Sequence, residues 1–278
     1  MTEEEKYMTS GVEIHSTAVI DSGAEIAQGV KIHPYAVIGA EVKLGAGAEI
    51  YPHTFLEHCE IGENCIIATG ASIGTAPQDL SYKGEKTKVI IGNNCQIREN
   101  ATINRGSGEG SVTKLGNNCL LMIGAHVAHN CNIGNNVNIA NNVLLAGHIH
   151  VEDYVFIGGA VVMHQFIRVG EMTIVGGFSG SRQDLPPYAK IDGRPGRVVG
   201  INSVGLKRRG LSVEDRTSIK RAYNYLWFSE LNTQQALERI REEIPSNKYI
   251  DHLVEFMTSS KRGVTKLSGK PEAEIGEE

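Results

Sequence analysis

The chain has 278 residues, 41% of them hydrophobic and 21% charged, which is globular composition with room for one large and one small domain. A formal net charge of −5 argues against nucleic-acid binding through bulk charge. The acidic opening Met1-Thr-Glu-Glu-Glu-Lys6 leads into no apolar run, and nowhere do ~18 apolar residues follow one another. Neither a signal peptide nor membrane insertion is therefore expected, and a cytoplasmic protein is.

From the N-terminus, an aliphatic residue recurs every six positions at Ile14, Ile20, Ile26, Ile32, Ile38, Leu44, Ile50 and Leu56. After a one-residue slip the step resumes at Ile61, Ile67 and Ile73, returns at Ile91, Ile97 and Ile103, then runs unbroken from Leu115 to Val175. This period matches neither the helical repeat of about 3.6 nor plain strand alternation. It suits a triangular solenoid with three hexads to a coil, the coils stacking at ~4.8 Å as a parallel β-helix. Gly-Asn-Asn at 92–94, 116–118 and 134–136 supplies residues that tolerate positive φ at the corners. The spacing leaves handedness open, although right-handed crossovers are the usual rule. Cys65, Cys95, Cys119 and Cys131 share the hexad position that Val137, Val143 and Val155 also hold, which reads as packing rather than disulfide or metal chemistry.

Two stretches, 75–88 and 104–114, lose the period and are expected as loops projecting from one edge. Beyond Val175 the repeat decays through Asp184-Leu-Pro-Pro-Tyr188. Ser212-Val-Glu-Asp215 resembles a capping box and opens a helix reaching about Ser229; further helices are expected over 233–244 and from Pro245-Ser246 through Phe256. The organisation expected is a solenoid over 1–203, a helical domain over 204–262 and a disordered tail over 263–278.

Four histidines, His126, His129, His148 and His164, fall within little more than two coils. With eighteen residues to a coil, His129, His148 and His164 are expected to line one edge as a column. Imidazoles there suit proton transfer near neutral pH, while a polar surface edge or a zinc site at a subunit junction remain open readings. Gly147 offers a backbone N–H on the same edge, either an oxyanion donor or one more corner glycine. Lys207-Arg208-Arg209 suits a diphosphate or an acidic carrier protein, or else is a solvated charge run.

These residues, in His126-Val-Ala-His129, Ala146-Gly-His148, Val162-Met-His164-Gln165-Phe166, Asp184-Leu-Pro-Pro-Tyr188 and Gly205-Leu-Lys-Arg-Arg-Gly210, resemble the motifs of the UDP-N-acetylglucosamine O-acyltransferases. Gln78-Asp-Leu80 and Arg98-Glu with Asn104-Arg-Gly106 agree, and the likeness runs in order from about residue 12 to 262. The resemblance implies a left-handed β-helix with a small α-helical C-terminal domain, assembled as a homotrimer with active sites between adjacent solenoids and needing no metal or cofactor. It implies transfer of an (R)-3-hydroxyacyl group from acyl carrier protein to the 3-position of UDP-N-acetylglucosamine, the first step of lipid A biosynthesis. By motif, His129 is the general base and Gly147 the oxyanion donor. Gln78, Asp79, His126, His148, His164 and Gln165 are substrate contacts, and Asn202, Arg208 and Arg209 face nucleotide phosphates or the carrier protein. Gly177 falls where side-chain size limits the acyl chain.

The chain departs from the pattern at Asn130, where an Asp follows the base in some relatives, at Ser81 in place of a Lys, and at Val204 in place of a Glu. These leave acyl transfer to a 3-amino sugar nucleotide as an alternative. An acetyl-CoA-dependent sugar acetyltransferase and a non-catalytic scaffold are the remaining readings.

Overall fold

The structure, a computed structural model, describes residues 11–266, so the acidic opening and residues 267–278 lie outside it. Two- to four-residue strands alternate around three faces in chain order, giving parallel sheets of nine and eight strands and a sheet of eleven that ends in a hairpin. The coils form a left-handed parallel β-helix. The eighteen-residue step is the pairing register: Glu13 pairs with Lys31 and Ile14 with Ile32, and Lys31 with Glu49 and Ile32 with Ile50. Every inward hexad residue from Ile32 to Val175 is 3% exposed or less, so one stacked aliphatic column fills the prism.

Where the period fails, the register lengthens rather than breaks. Cys59 pairs with Val89 and Thr102 with His126, each strand meeting its partner across an inserted loop. The loops 76–87 and 105–111 both leave between the second face (Ser72–Thr75, Thr102–Asn104) and the third (Lys88–Ile91, Val112–Leu115). Both insertions therefore emerge from one edge, the edge on which His129 sits between strands His126–Val127 and Asn132–Ile133.

The Gly-Asn-Asn corners carry the expected positive φ, but at one residue of the three. Only the second asparagine has positive φ, 56° at Asn94, 55° at Asn118 and 56° at Asn136. The glycine serves close approach instead: a Cβ on Gly116 would lie 2.5 Å from the Gly134 carbonyl oxygen one coil on. The middle asparagine accepts through Oδ1 from the main chain of the preceding coil, as in Asn93 N–H to Asn117 and Asn117 N–H to Asn135.

The solenoid closes with a hairpin, Ala189–Asp192 against Arg197–Ile201, and four helices follow: α1 Ser203–Arg208, α2 Val213–Trp227, α3 Thr233–Glu243 and α4 Lys248–Thr258. Helix α1 is additional to the expected three. Ser212 caps α2 by accepting from Asp215 N–H at 3.0 Å. The expectation of a disordered tail from 263 fails over 263–266. Thr265 N–H bonds the Asp184 carbonyl at 2.9 Å and Trp227 Nε1 donates to the Thr265 carbonyl at 3.0 Å, so this strap is packed onto the solenoid. Asp184, 1% exposed, takes hydrogen bonds from Arg168 and Ser260, which makes the Asp-Leu-Pro-Pro-Tyr motif a docking element. Among the described residues no helix is long and apolar enough to cross a membrane.

Candidate active site

The edge between the second and third faces carries two side-by-side columns set by the eighteen-residue step. One is His129, Gly147 and Gln165; the other is Asn130, His148 and Phe166, all three left-handed with φ of 60°, 59° and 65°. The His148 ring stacks on Phe166 at 4.5 Å and meets His129 edge-on at 5.3 Å. The column expected from His129, His148 and His164 is thus corrected. His164 stands sixteen residues from His148, so Phe166 takes the place above His148, and His164 falls in register with Ala146 on the same edge.

Gly147 has a second role that spacing did not reveal. A Cβ there would lie 2.6 Å from Cε1 and 2.7 Å from Nε2 of His129, so only glycine lets the imidazole lie across the coil above it. Among the described residues nothing accepts the Gly147 N–H, although its neighbours' amides are taken: Ala146 N–H by Met163 and His148 N–H by His129. An unpaired N–H beside an imidazole is the pairing of oxyanion donor and base that acyl transfer requires.

His129 itself is 9% exposed, and its Nδ1 shares a 2.8 Å hydrogen bond with Asn130 Oδ1. Asn130 in turn accepts from Ser107 N–H at 2.8 Å and donates from Nδ2 to the Ser107 carbonyl at 3.1 Å. Ser107 Oγ donates to Asp79 Oδ2 at 2.7 Å, while Asp79 Oδ1 accepts from the N–H and hydroxyl of Ser81. The hydrogen bonds from Ser107 and Ser81 hold the Asp79 carboxyl down at about 2. Both inserted loops are thereby tied to the histidine edge. Gln78 and Leu80 flank Asp79 as exposed residues of the first loop.

His126 projects from the second face beside this edge, its Nδ1 bonded to Thr102 Oγ1 at 2.7 Å. Burial, with the nearby His129, lowers the His126 pKa; the same two causes lower that of His148, against an opposing pull from Asp79. Both rings are therefore biased to the neutral form. A groove of about 980 Å³ continues from His164 and Ala146 past Val162 and Gly180 to Arg194. At its rim Arg262, reaching back from the strap, donates to the Gln165 carbonyl at 3.1 Å and to His164 Nδ1 at 3.3 Å. Arg262 carried no local signal in the sequence, since its contact spans nearly one hundred residues.

The remaining candidates do not gather here within one protomer. Gly177 lies on the edge between the first and second faces, stacked over Gly159 and next to the exposed Phe178. Asn202 and Arg209 lie on the third edge: Asn202 caps α1 through Gly205 N–H and donates to the Met172 carbonyl, and Arg209 rests 4.3 Å over the Tyr154 ring. Arg208 is exposed in the last turn of α1. The five cysteines are free and buried, and burial pushes the Cys131 thiol up to about 12. Among the described residues no three His, Cys, Asp or Glu side chains are grouped to hold a metal ion.

A parallel β-helix whose histidine edge is fed by inserted loops defines a hexapeptide-repeat acyltransferase. The model described as bacterial transferase hexapeptide (six repeats) matches residues 113–147, which include His126, His129 and Gly147. The second-domain model of UDP N-acetylglucosamine O-acyltransferase matches residues 184–265, including all but the last residue of the packed strap. The chain is 46% identical over 201 residues to the acyl-[acyl-carrier-protein]–UDP-N-acetylglucosamine O-acyltransferase of Gloeothece citriformis, covering 72% of each. It is 44% identical over 207 residues to that of Myxococcus xanthus, covering 74% of this chain and 80% of the relative. The solved UDP-N-acetylglucosamine acyltransferase of Francisella novicida superposes with a TM-score of 0.89 at 38% identity, over 92% of this chain and 95% of that one. The Bacteroides fragilis enzyme gives 0.88 at 40% identity, over 90% and 99%. The chain belongs to the UDP-N-acetylglucosamine O-acyltransferase family, and it is an acyltransferase.

Proposed function

We propose that the enzyme transfers an (R)-3-hydroxyacyl group from acyl carrier protein to the 3-hydroxyl of UDP-N-acetylglucosamine, the first step of lipid A biosynthesis, in the cytoplasm. The observation that carries the mechanism is the His129 ring lying against Gly147, whose N–H has no acceptor among the described residues. His129 takes the proton of the 3-hydroxyl as that oxygen attacks the thioester carbon. The new C–O bond forms, and the carbonyl oxygen gathers charge beside the Gly147 N–H. Collapse breaks the C–S bond, and the imidazolium returns its proton to the departing thiolate. Transfer is direct, because the buried cysteines offer no thiolate for an acyl-enzyme.

Neutral His126 and His148, with Gln78 and Asp79, flank the base and contact the sugar; His164 and Gln165 continue the edge toward the pantetheine arm or nucleotide. Gly177, Asn202, Arg208 and Arg209 lie on other edges of the same protomer. A homotrimer, which sets the edges of adjacent prisms against one another, is the assembly that brings such residues to one site. Gly177 then sits where a larger side chain would shorten the accepted acyl chain, and Arg208 and Arg209 face phosphates or the acidic carrier. Asn130 on the base favours a second reading, transfer to a 3-amine, because a neutral amine asks less of its base than a hydroxyl.

Turnover of UDP-N-acetylglucosamine with hydroxyacyl carrier proteins of graded length, read by mass spectrometry, tests the first reading against the 3-amino acceptor. His129→Ala should lose at least about 100-fold in kcat with the trimer intact, the scale of a general base. Near-normal turnover in that variant removes the mechanism.

A further inference from the structure

The amide of Asn130 has one orientation that satisfies its surroundings. Ser107 presents both its main-chain N–H, 2.8 Å from Oδ1, and its carbonyl, 3.1 Å from Nδ2. Turned over, the amide would set donor against donor and acceptor against acceptor, losing both bonds. Oδ1 is therefore fixed toward His129, and what Nδ1 faces at 2.8 Å is a lone pair. A neutral imidazole has one N–H, so that proton sits on Nδ1 and the free lone pair on Nε2. Nε2 is the nitrogen that a Cβ on Gly147 would approach to 2.7 Å, against 3.2 Å for Nδ1.

We propose that Asn130 and Ser107 are positioning residues forming an uncharged clamp, which fixes the tautomer of His129 and aims Nε2 at the acceptor hydroxyl without a carboxylate behind the ring. The clamp is anchored twice over. Thr113 Oγ1 accepts from Asn130 N–H at 2.9 Å, and Ser107 Oγ donates to Asp79 at 2.7 Å. Asp79 thus acts from beyond Ser107, tying down the loop that holds the amide. The titratable groups facing His129 are Asp79, His126 and His148, and its Nδ1 is bonded to none of them. The clamp rests on the reading of His129 as base, yet it is separable from it by experiment.

Asn130→Gly suits the test, since glycine accepts the φ of 60° without strain and removes only the amide. Its kcat is expected to fall about 10- to 100-fold with KM nearly unchanged, as a mispositioned base loses part of the general-base effect. Asn130→Asp sets a carboxylate on Nδ1 and should move the acid limb of the kcat profile up by about one pH unit. Nitrogen-15 NMR of the histidine-labelled full chain should find the neutral His129 proton on Nδ1. A proton on Nε2, an unmoved acid limb in Asn130→Asp, or wild-type kcat in a folded Asn130→Gly overturns the clamp. Surviving turnover in His129→Ala together with a proton on Nδ1 sinks the base reading, and the aim of Nε2 with it, while the fixed tautomer stands.

Discussion

Two edges of the same prism use the same backbone for opposite ends. On the edge between the third and first faces, Asn94, Asn118 and Asn136 turn the corner at φ of 55–56°, and the asparagine preceding each accepts a main-chain N–H from the coil before it. Asparagine adopts this conformation readily, and the ladder leaves its carbonyl oxygens occupied. On the edge between the second and third faces Asn130 shares the same left-handed position with His148 and Phe166, as Tyr154 and Met172 take it further along the first edge. Side chains of that size take it at a cost of about 1–2 kcal/mol. What offsets the strain is a ring stack, and what remains without an acceptor among the described residues is the column of N–H groups beside it, His129, Gly147 and Gln165. The first edge spends its polar groups on holding coils together; the second keeps them for a substrate. Glycine divides the same way, since Gly116 makes room for backbone and Gly147 for the base.

The largest effect expected from breaking this contrast is in Gly147→Ala. Its Cβ would press on the His129 ring, and displacing a catalytic group by ~1 Å costs about 100-fold in kcat. Near-normal kcat in steady-state assay would show that the ring does not need that space. Gly116→Ala presses instead on the Gly134 carbonyl, and the overpacked edge should lose about 1–3 kcal/mol of stability in urea unfolding while the folded fraction keeps its kcat. Loss of chemistry without loss of stability there would erase the distinction between the edges. Cys131→Val, which installs the residue that other coils carry at this position, should cost less than about 1.5 kcal/mol and leave kcat unchanged.

The smallest effect lies where the helical domain docks. His252 on α4 meets Glu152 at 3.0 Å and Tyr188 Oη at 2.9 Å. Burial works against its charge, but Glu152, with Glu171 and Glu255, outweighs burial and raises its pKa above the ordinary 6.5. A raised folded-state pKa stabilises fully below that ordinary value and ceases to as pH climbs through the folded one. The urea midpoint should therefore fall as pH rises from 6.5, and His252→Gln should flatten the fall. An equal slope in that variant would assign the pH dependence elsewhere.

Sequence by itself determined the solenoid, its eighteen-residue register, the loops and the edge that carries His129, His148 and His164, because an in-phase aliphatic every six residues has only one way to be buried throughout. It also placed four of the five cysteines inside and three of the four helices. The reason Gly116 is glycine, the replacement of His164 by Phe166 above His148, the order of the 263–266 strap and the reach of Arg262 were decided by tertiary structure. So was the Asp79–Ser107–Asn130–His129 chain, which joins residues fifty positions apart through two aperiodic loops. A repeat reports where side chains point along the chain; only the stacked coils decide which of them meet.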